Sequence, residues 1–352
     1  MDKAYQHHDD ILLEMRPYGC NLKNGFSNHT PMVIEALAAL NHGHLAHTWF
    51  TQRKSGIALR PVSSDPITEE NLRNALGQSD RFTDWMNYFS EQIDKRGWHA
   101  TAARWVPTLG PGFLTAACHG VIRVGHAVRA LRVKDTGARR QELAYALASW
   151  CTDYKELENK HTPAEFPLGP YNGQDLMQRL TLLDEDYRKN DGAITTAVGQ
   201  LASHGIFLAQ VQKLTFAQVN DTILAIAKTS ADVFLHNARS TLGAIVFTHA
   251  ITCVAAVRNI APCLSEEHQR ILIYEAFFAI AALHTVYATS PLKSSPKSSD
   301  RTPDEIVSHA VNHGDDHVIK LTEACINFYK YTQDDRFLVA ADLGANLIPS
   351  AD

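Results

Sequence analysis

The sequence predicts an all-α fold that forms a single multi-helix domain spanning residues 1–352. Apolar residues recur at steps of three and four along most of the chain, as Phe82, Trp85 and Phe89 illustrate, which is the period of an amphipathic helix. No region of the sequence shows several segments of alternating polarity with turn residues between them. With 45% hydrophobic and 20% charged residues, the chain is typical of a soluble globular protein with a sizeable core.

The N-terminal half contains several helical segments, and most are bounded by a recognisable signal. Pro31 suits the first turn of a helix that ends at Gly43. Thr68 opens a capping-box pattern, and the segment Pro107–Gly112 is expected to form a rigid turn. The expected helices cover residues 31–43, 45–50, 71–77, 82–93, 113–133 and 138–157.

The C-terminal half begins with residues 159–191, whose proline, glycine and charge predict a long loop with one short helix. The segment 290–303, rich in serine and lysine, is expected to be a surface loop, and the tail from Ala340 lacks helical periodicity. Two apolar runs, Leu242–Val257 and Ile271–Ala288, carry polar residues and are expected to be core helices rather than membrane spans. The expected helices cover residues 194–203, 216–229, 239–260, 266–288 and 303–331.

Charge and cysteine usage argue against several classes of protein. The formal net charge is −5, and the arginines between Arg123 and Arg140 are spread through helical sequence, so nucleic acid binding is not expected. The six cysteines form no CxxC pair, and the N-terminal segment lacks the apolar stretch of a signal peptide, which favours the reducing cytoplasm. Gly110-Pro111-Gly112 lacks the third glycine of a dinucleotide site, so the sequence does not support NADPH binding.

Histidines in apolar surroundings give the strongest indication of chemistry. His29 precedes an apolar helix, and His119 and His249 lie in runs that should be buried helices. His317 and Lys320 share one helical face. An unsatisfied buried polar group costs about 1–3 kcal/mol, so each imidazole needs a partner, and a metal ion is a partner that several can share. Each of these histidines also has an interpretation as a hydrogen-bonded core residue, and His29 as a helix cap.

Lys320 is expected in an enclosed part of its helix, where burial disfavours the charged ammonium. A neutral amine can add carbon dioxide and become a carbamate, whose oxygens suit a metal. His309 and His313 lie on the same predicted stripe as His317, and they are interpreted as a polar surface face.

Arg123 and His126 recur on the face of His119, at four- and seven-residue spacing. They are candidates to steady a phenolate or an oxyanion, with a structural role as the alternative. Other chemistry lacks its motif, because the sequence contains no HExxH and no GxSxG. The single Glu-x-x-His runs into Pro163, so a di-iron bundle site is not supported.

Six segments, taken in order, resemble the questin oxidase-like proteins. They are NHTPMVIEAL, the turn W-x-P-x-L-x-P-G, AACHGVIRVGHAVRAL, QELAYALASW, FTHAITCVAAVRNI and GDDHVIK. The resemblance implies oxidative cleavage of a ring in anthraquinone-type aromatic polyketides, with oxygen inserted in a Baeyer–Villiger-like sense. It also implies a non-haem iron held by four histidines and a carboxylated lysine. Transferred by motif, these ligands are His29, His119, His249, His317 and Lys320.

The expected function is therefore that of a cytoplasmic Fe(II)-dependent oxygenase with a carboxylated Lys320. Its expected partners are molecular oxygen and a small aromatic compound of the quinone or phenol type, with no nucleic acid and no membrane. Two other hypotheses remain open. The first is a non-catalytic helical binding protein for a planar hydrophobic ligand, and the second is a metal-dependent hydrolase that uses the same ligands.

Overall fold

The computed structural model describes residues 3–5, 7–163, 166–180, 194–216, 218–288 and 299–351. The predicted all-α fold is confirmed, since helices dominate and the described residues contain one small two-stranded sheet. The chain divides into two compact units, residues 1–155 with 259–265 and residues 156–258 with 266–352. A single domain over 1–352 therefore stays a prediction, and each unit is described by itself.

The first unit contains ten of the helices and strands. They are α1 (His8–Glu14), β1 (Tyr18–Leu22), α2 (Thr30–Ala39), α3 (Ala46–Arg53), β2 (Ile57–Leu59), α4 (Leu72–Ala75), α5 (Phe82–Arg96), α6 (Trp98–Leu109), α7 (His119–Val133) and α8 (Gly137–Asp153). The strands β1 and β2 pair antiparallel. Helices α5 and α7 both pack on α8, and α2 packs on α7. The apolar period predicted for α5 is confirmed, because the rings of Trp85 and Phe89 stack in the core with centroids 5.6 Å apart.

Two expectations for the start and end of helices in the first unit have different outcomes. Pro107 does not begin a turn, because α6 continues through it to Leu109 and a 3₁₀ turn follows at Gly110–Gly112. A proline near the end of a helix removes few hydrogen bonds, which makes this position tolerable. The hydrogen bonds of the capping box predicted at Thr68 are present, because Thr68 and Asn71 each accept from the other's backbone N–H, although α4 itself begins only at Leu72.

The second unit contains helices α9 to α17. They are α9 (Gly173–Leu180), α10 (Ile194–Gly199), α11 (Gly205–Val211), α12 (Val219–Asn237), α13 (Thr241–Ile260, its last two residues belonging to the first unit), α14 (Glu266–Tyr287), α15 (Pro303–His313), α16 (Asp316–Thr332) and α17 (Arg336–Leu347). A capping box between Thr302 and Glu305 starts α15. Part of the predicted loop 159–191 and most of the predicted surface loop 290–303 lie outside the described residues.

Two expectations for the second unit are also wrong. The predicted helix 303–331 is interrupted at Gly314, which has a φ of 75° and ends α15. His309 and His313 therefore lie on α15, whereas His317 and Lys320 lie on α16. The tail from Ala340 is helical, since it belongs to α17. Small residues in this helix carry little hydrophobic signal, so they conceal its period. Gly344 is one of them, and the contact with α16 requires it, because a Cβ on Gly344 would lie 2.4 Å from Leu321 Cδ2.

The two long apolar runs form helices in the structure. The segments Thr241–Cys263 and Glu266–Tyr287 are long and apolar enough to cross a membrane by length and composition alone. In each, 89% of the most apolar window is buried inside the fold, as it is in core helices of globular proteins that pass the same test.

Candidate metal centre

His29 and His119 form a close pair in the first unit. Their Nε2 atoms lie 2.6 Å apart, and their rings are nearly parallel, with an interplanar angle of 14°. His29 is the residue before α2, and His119 is the first residue of α7, so two helices start at this pair. Both side chains are half-buried rather than enclosed. The two Nε2 atoms therefore face each other at hydrogen-bonding distance, where they share one proton.

A left-handed turn holds the imidazole of His119. Ala116, Ala117 and Cys118 have φ values of 48°, 54° and 66°, a region that costs a non-glycine residue about 1 kcal/mol or more. The Nδ1–H of His119 donates to the carbonyl oxygen of Ala116 within this turn. That bond leaves Nε2 unprotonated, which is the tautomer of a metal ligand. The expectation that His119 lies inside a helix is wrong, because α7 begins at His119.

Gly120 allows close packing immediately behind His119. A Cβ at this position would lie 2.5 Å from the indole of Trp150 on α8. The indole Nε1–H in turn donates to the carbonyl oxygen of Gly112, at 3.2 Å. The small residues around His119 therefore serve the contact of α7 with α8, rather than leaving room for a ligand beside Gly120.

The second unit brings together the other predicted ligands. His317 is the second residue of α16, and the side chain of Asp315 caps this helix by accepting from the backbone N–H groups of His317 and Val318. The Nδ1 of His317 lies 2.9 Å from Oδ1 of Asp316, so the carboxylate faces this ring nitrogen. His249 of α13 is buried, and its ring centroid lies 5.5 Å from that of His317.

Lys320 is buried one helical turn after His317. Its side chain belongs to a residue that is only 2% exposed, and no hydrogen bond or ion pair joins its ammonium to another residue that the structure describes. Burial lowers the pKa of Lys320 to about 8, although the nearby carboxylates of Asp316 and Asp315 raise it. A substantial fraction of this amine is therefore neutral in weakly alkaline solution.

Arg123 and His126 are both engaged in buried ion pairs of the first unit. The guanidinium of Arg123 donates from Nε and Nη2 to the two carboxylate oxygens of Glu142, at 2.7 and 3.0 Å. The Nδ1–H of His126 donates to Oε2 of Glu35 at 2.7 Å. These bonds provide each side chain with a structural partner, and Arg123 Nη1 remains a buried donor without an acceptor among the described residues.

The donor set fits a divalent transition metal. Imidazole nitrogen and carboxylate-type oxygen are ligands that iron accepts in non-haem sites. In two of the four histidines, His119 and His317, Nδ1 is committed to an acceptor, which is the usual support for a metal-binding imidazole. A carbamate on Lys320 would supply the oxygen.

Comparison with known proteins identifies the family. A family model described as questin oxidase-like matches residues 26–325, which includes all the predicted ligands. The chain belongs to the questin oxidase-like family. The family name denotes an oxidase, so the chain is an oxidoreductase by membership, of the type that oxidises aromatic polyketides. No curated protein shows significant similarity to the chain.

Sequence reasoning did not assign the acidic residues that support the histidines. Asp316 was visible only as a neighbour of His317, and the sequence does not show that its carboxylate turns back onto the imidazole. Glu35 could have been recognised more easily than Asp316. It lies in the otherwise apolar segment of α2, and a buried carboxylate there requires a cationic partner.

Proposed function

We propose that this questin oxidase-like protein is a non-haem iron-dependent oxygenase acting on an aromatic compound of the quinone or phenol type. The reaction would insert oxygen or cleave a ring carbon–carbon bond in a Baeyer–Villiger-like sense. Family membership supports the class of substrate. The observation that carries the metal dependence is the pair of facing Nε2 atoms in His29 and His119, with the tautomer of His119 set by Ala116.

The proposed ligands of Fe(II) are His29, His119, His249, His317 and a carboxylated Lys320. Bound iron would supply the activation of oxygen at an electron-rich ring. The carboxylate of Asp316 and the carbonyl of Ala116 orient the imidazoles of His317 and His119. The neutral amine of Lys320 would form an N–C bond with carbon dioxide and lose one proton, so a neutral buried amine becomes an anionic carbamate.

Arg123 and His126 are the proposed contacts for oxygen atoms of the substrate. Arg123 lines a small recess together with Tyr18 and Tyr145, and its Nη1 has N–H groups to donate. Glu142 already neutralises the guanidinium, so this donor suits a phenol or quinone oxygen as well as an anion. His126 lines a second small recess and retains Nε2 while Glu35 holds Nδ1.

Metal analysis combined with an oxygen electrode tests this function. The full chain purified with added Fe(II) and bicarbonate is expected to bind about one iron per chain and to consume oxygen with some member of a panel of quinones and phenols. Absence of stoichiometric metal, together with an unmodified Lys320 by ¹³C-bicarbonate NMR, would contradict the proposal. Substrate binding without oxygen uptake would indicate a carrier, and turnover without oxygen would indicate a hydrolase.

A further inference from the structure

Glu35 and His126 form a second pair at the contact of α2 with α7, about two helical turns after the pair of His29 and His119. Glu35 follows His29 by six positions, and His126 follows His119 by seven. At about 1.5 Å of rise per residue, these separations are about 9 and about 10.5 Å along the two helices. Because both pairs are in contact, the helices run in the same direction, and the Glu35–His126 bond measures their register about two turns from the histidines.

Glu35 is fully engaged at this level. The residue is 1% exposed, and its Oε1 accepts from the hydroxyl of Tyr5 at 2.5 Å and from Nε of Arg129 at 2.8 Å. Its Oε2 accepts from Nδ1 of His126 and from Nη2 of Arg129. Four donors thus surround one carboxylate, and two of its partners, His126 and Arg129, lie one turn apart on α7.

The charge of Glu35 makes this contact specific. Burial alone would raise the pKa of Glu35, but Arg129 and His126 hold it well below its usual range, so the group is ionised. A slip of one residue between α2 and α7 would move the carboxylate by about 1.5 Å and rotate it by about 100°. The ion would then lose its donors inside the protein, which is strongly unfavourable.

We propose that Glu35 is a positioning residue for the candidate metal ligands, fixing the register of α2 against α7 so that the imidazoles of His29 and His119 face each other. The inference rests on the proposed function in taking this pair as ligands. It adds that an acidic residue outside the ligand set determines their alignment, acting through His126 and Arg129. A shift of about 1 Å at such a pair is enough to lower metal affinity.

Glu35→Gln removes the charge and keeps the shape of the side chain. The amide group presents N–H donors where the carboxylate accepted, so it conflicts with the donors of His126 and Arg129. Asp84→Asn is the matched control, because Asp84 is equally buried in the same unit and accepts from Ser63, Ser64 and Arg81 away from α2 and α7. Both variants should have a lower free energy of unfolding in urea, but only Glu35→Gln should affect the pair of His29 and His119.

Two measurements on the full chain decide the question. Titration of the metal-free protein with Co²⁺, followed by the visible absorption of the bound ion, should show about 10- to 100-fold weaker binding in Glu35→Gln and unchanged binding in Asp84→Asn. Histidine ¹⁵N NMR without metal should show shifted ring nitrogens of His29 and His119 in Glu35→Gln alone. Glu35→Asp, which keeps the charge, should recover part of both signals.

Equal effects of Glu35→Gln and Asp84→Asn on Co²⁺ affinity and on the ring nitrogens would overturn the inference and leave Glu35 a general contributor to stability. If the wild-type chain binds no Co²⁺, the proposed function fails instead. The NMR comparison then decides the positioning role by itself, because it needs no metal.

Discussion

Lys160 and Glu275 form an ion pair in the interior of the second unit. The ammonium of Lys160 donates to Oε2 of Glu275, and the hydroxyl of Thr162 donates to Oε1 at 2.8 Å. The Nζ of Lys160 also lies 4.8 Å from the ring centroid of Phe278, on the same helix as Glu275. Burial raises the pKa of Glu275, although Lys160 opposes that shift. The pair ties the segment before α9 to α14.

Lys160→Met should be strongly destabilising, because it leaves the carboxylate of Glu275 buried without its cation. A loss of about 3–5 kcal/mol in the free energy of unfolding is expected from urea denaturation. The double variant Lys160→Met/Glu275→Leu should recover most of it. Arg140→Met breaks the exposed pair with Asp135 and should change the free energy of unfolding little, because water screens that pair. Equal losses in the single and double variants would contradict this account.

Asp153 should make the first unit more stable in acid than in base. Burial raises the pKa of Asp153 to about 6, against the opposite effect of Arg123. Its contribution to stability is therefore complete below the unfolded value of 3.8 and is lost as pH rises through about 6. Asp153→Asn should then stabilise the protein by on the order of 2 kcal/mol near pH 8 and by little near pH 4.

Urea unfolding of Asp153→Asn at several pH values checks this sign. Asp135→Asn is the surface control, since Arg140 lowers the pKa of Asp135 through a hydrogen bond and its loss should not stabilise the protein at any pH. A stability difference for Asp153→Asn that is independent of pH would show that the carboxyl is not desolvated in the folded chain.

Ala117→Gly should separate stability from metal binding. Glycine tolerates the φ of 54° at this position, so the variant is expected to gain about 0.5–1 kcal/mol in the free energy of unfolding. Iron affinity should fall, because a more flexible turn holds the imidazole of His119 less firmly. Ala102→Gly, in the buried interior of α6, should instead lose about 1 kcal/mol and keep its iron. Unchanged iron affinity in Ala117→Gly would show that the left-handed turn has no role in metal binding.

Lys320→Met should abolish both the carbamate and iron binding. The measurement is the ¹³C signal of the chain equilibrated with labelled bicarbonate, followed by metal analysis. Lys330→Met changes an exposed lysine of the same helix and should retain both. A carbamate signal that persists in Lys320→Met would place the modification elsewhere.

His249→Gln should lose iron with a modest loss of stability. His284→Gln is its matched control, because His284 is also a buried histidine on a long apolar helix of the second unit. Iron content and urea unfolding, measured on both variants, distinguish a ligand from a core histidine. The ligand assignment would be wrong if both variants bind iron as the wild-type chain does.

The long helices were predictable because their burial follows the helical period. Apolar spacing predicted α5, α13 and α14 close to their observed ends. The helical period did not predict α17, where small residues such as Gly344 form the contact with α16, because alanine and glycine carry little hydrophobic signal. The same period did not reveal the helix break at Gly314, because His309, His313 and His317 keep a helical spacing across that residue.

The site was predictable as a set of residue types and family motifs, but its geometry was not. A left-handed turn of Ala116, Ala117 and Cys118 has no sequence signal, because alanine normally favours a helix. The contact of Glu35 with His126 joins residues 91 positions apart, and only the packing of α2 on α7 reveals it. Local sequence patterns therefore indicate which side chains belong to the candidate site, whereas tertiary contacts determine how those side chains are oriented.

The break at Gly314 also gives the last two candidate ligands an electrostatic setting. Because α15 ends there, α16 starts afresh at Asp316, and His317 and Lys320 occupy its opening turns. The start of a helix carries partial positive charge, which favours an anion within the first turn, and Asp315 supplies one by accepting from the N–H groups of His317 and Val318. In one uninterrupted helix, both side chains would have sat in the electrically neutral middle. One glycine thus places Lys320 just behind a capped helix start and two carboxylates, where burial and charge act on its amine in opposite directions.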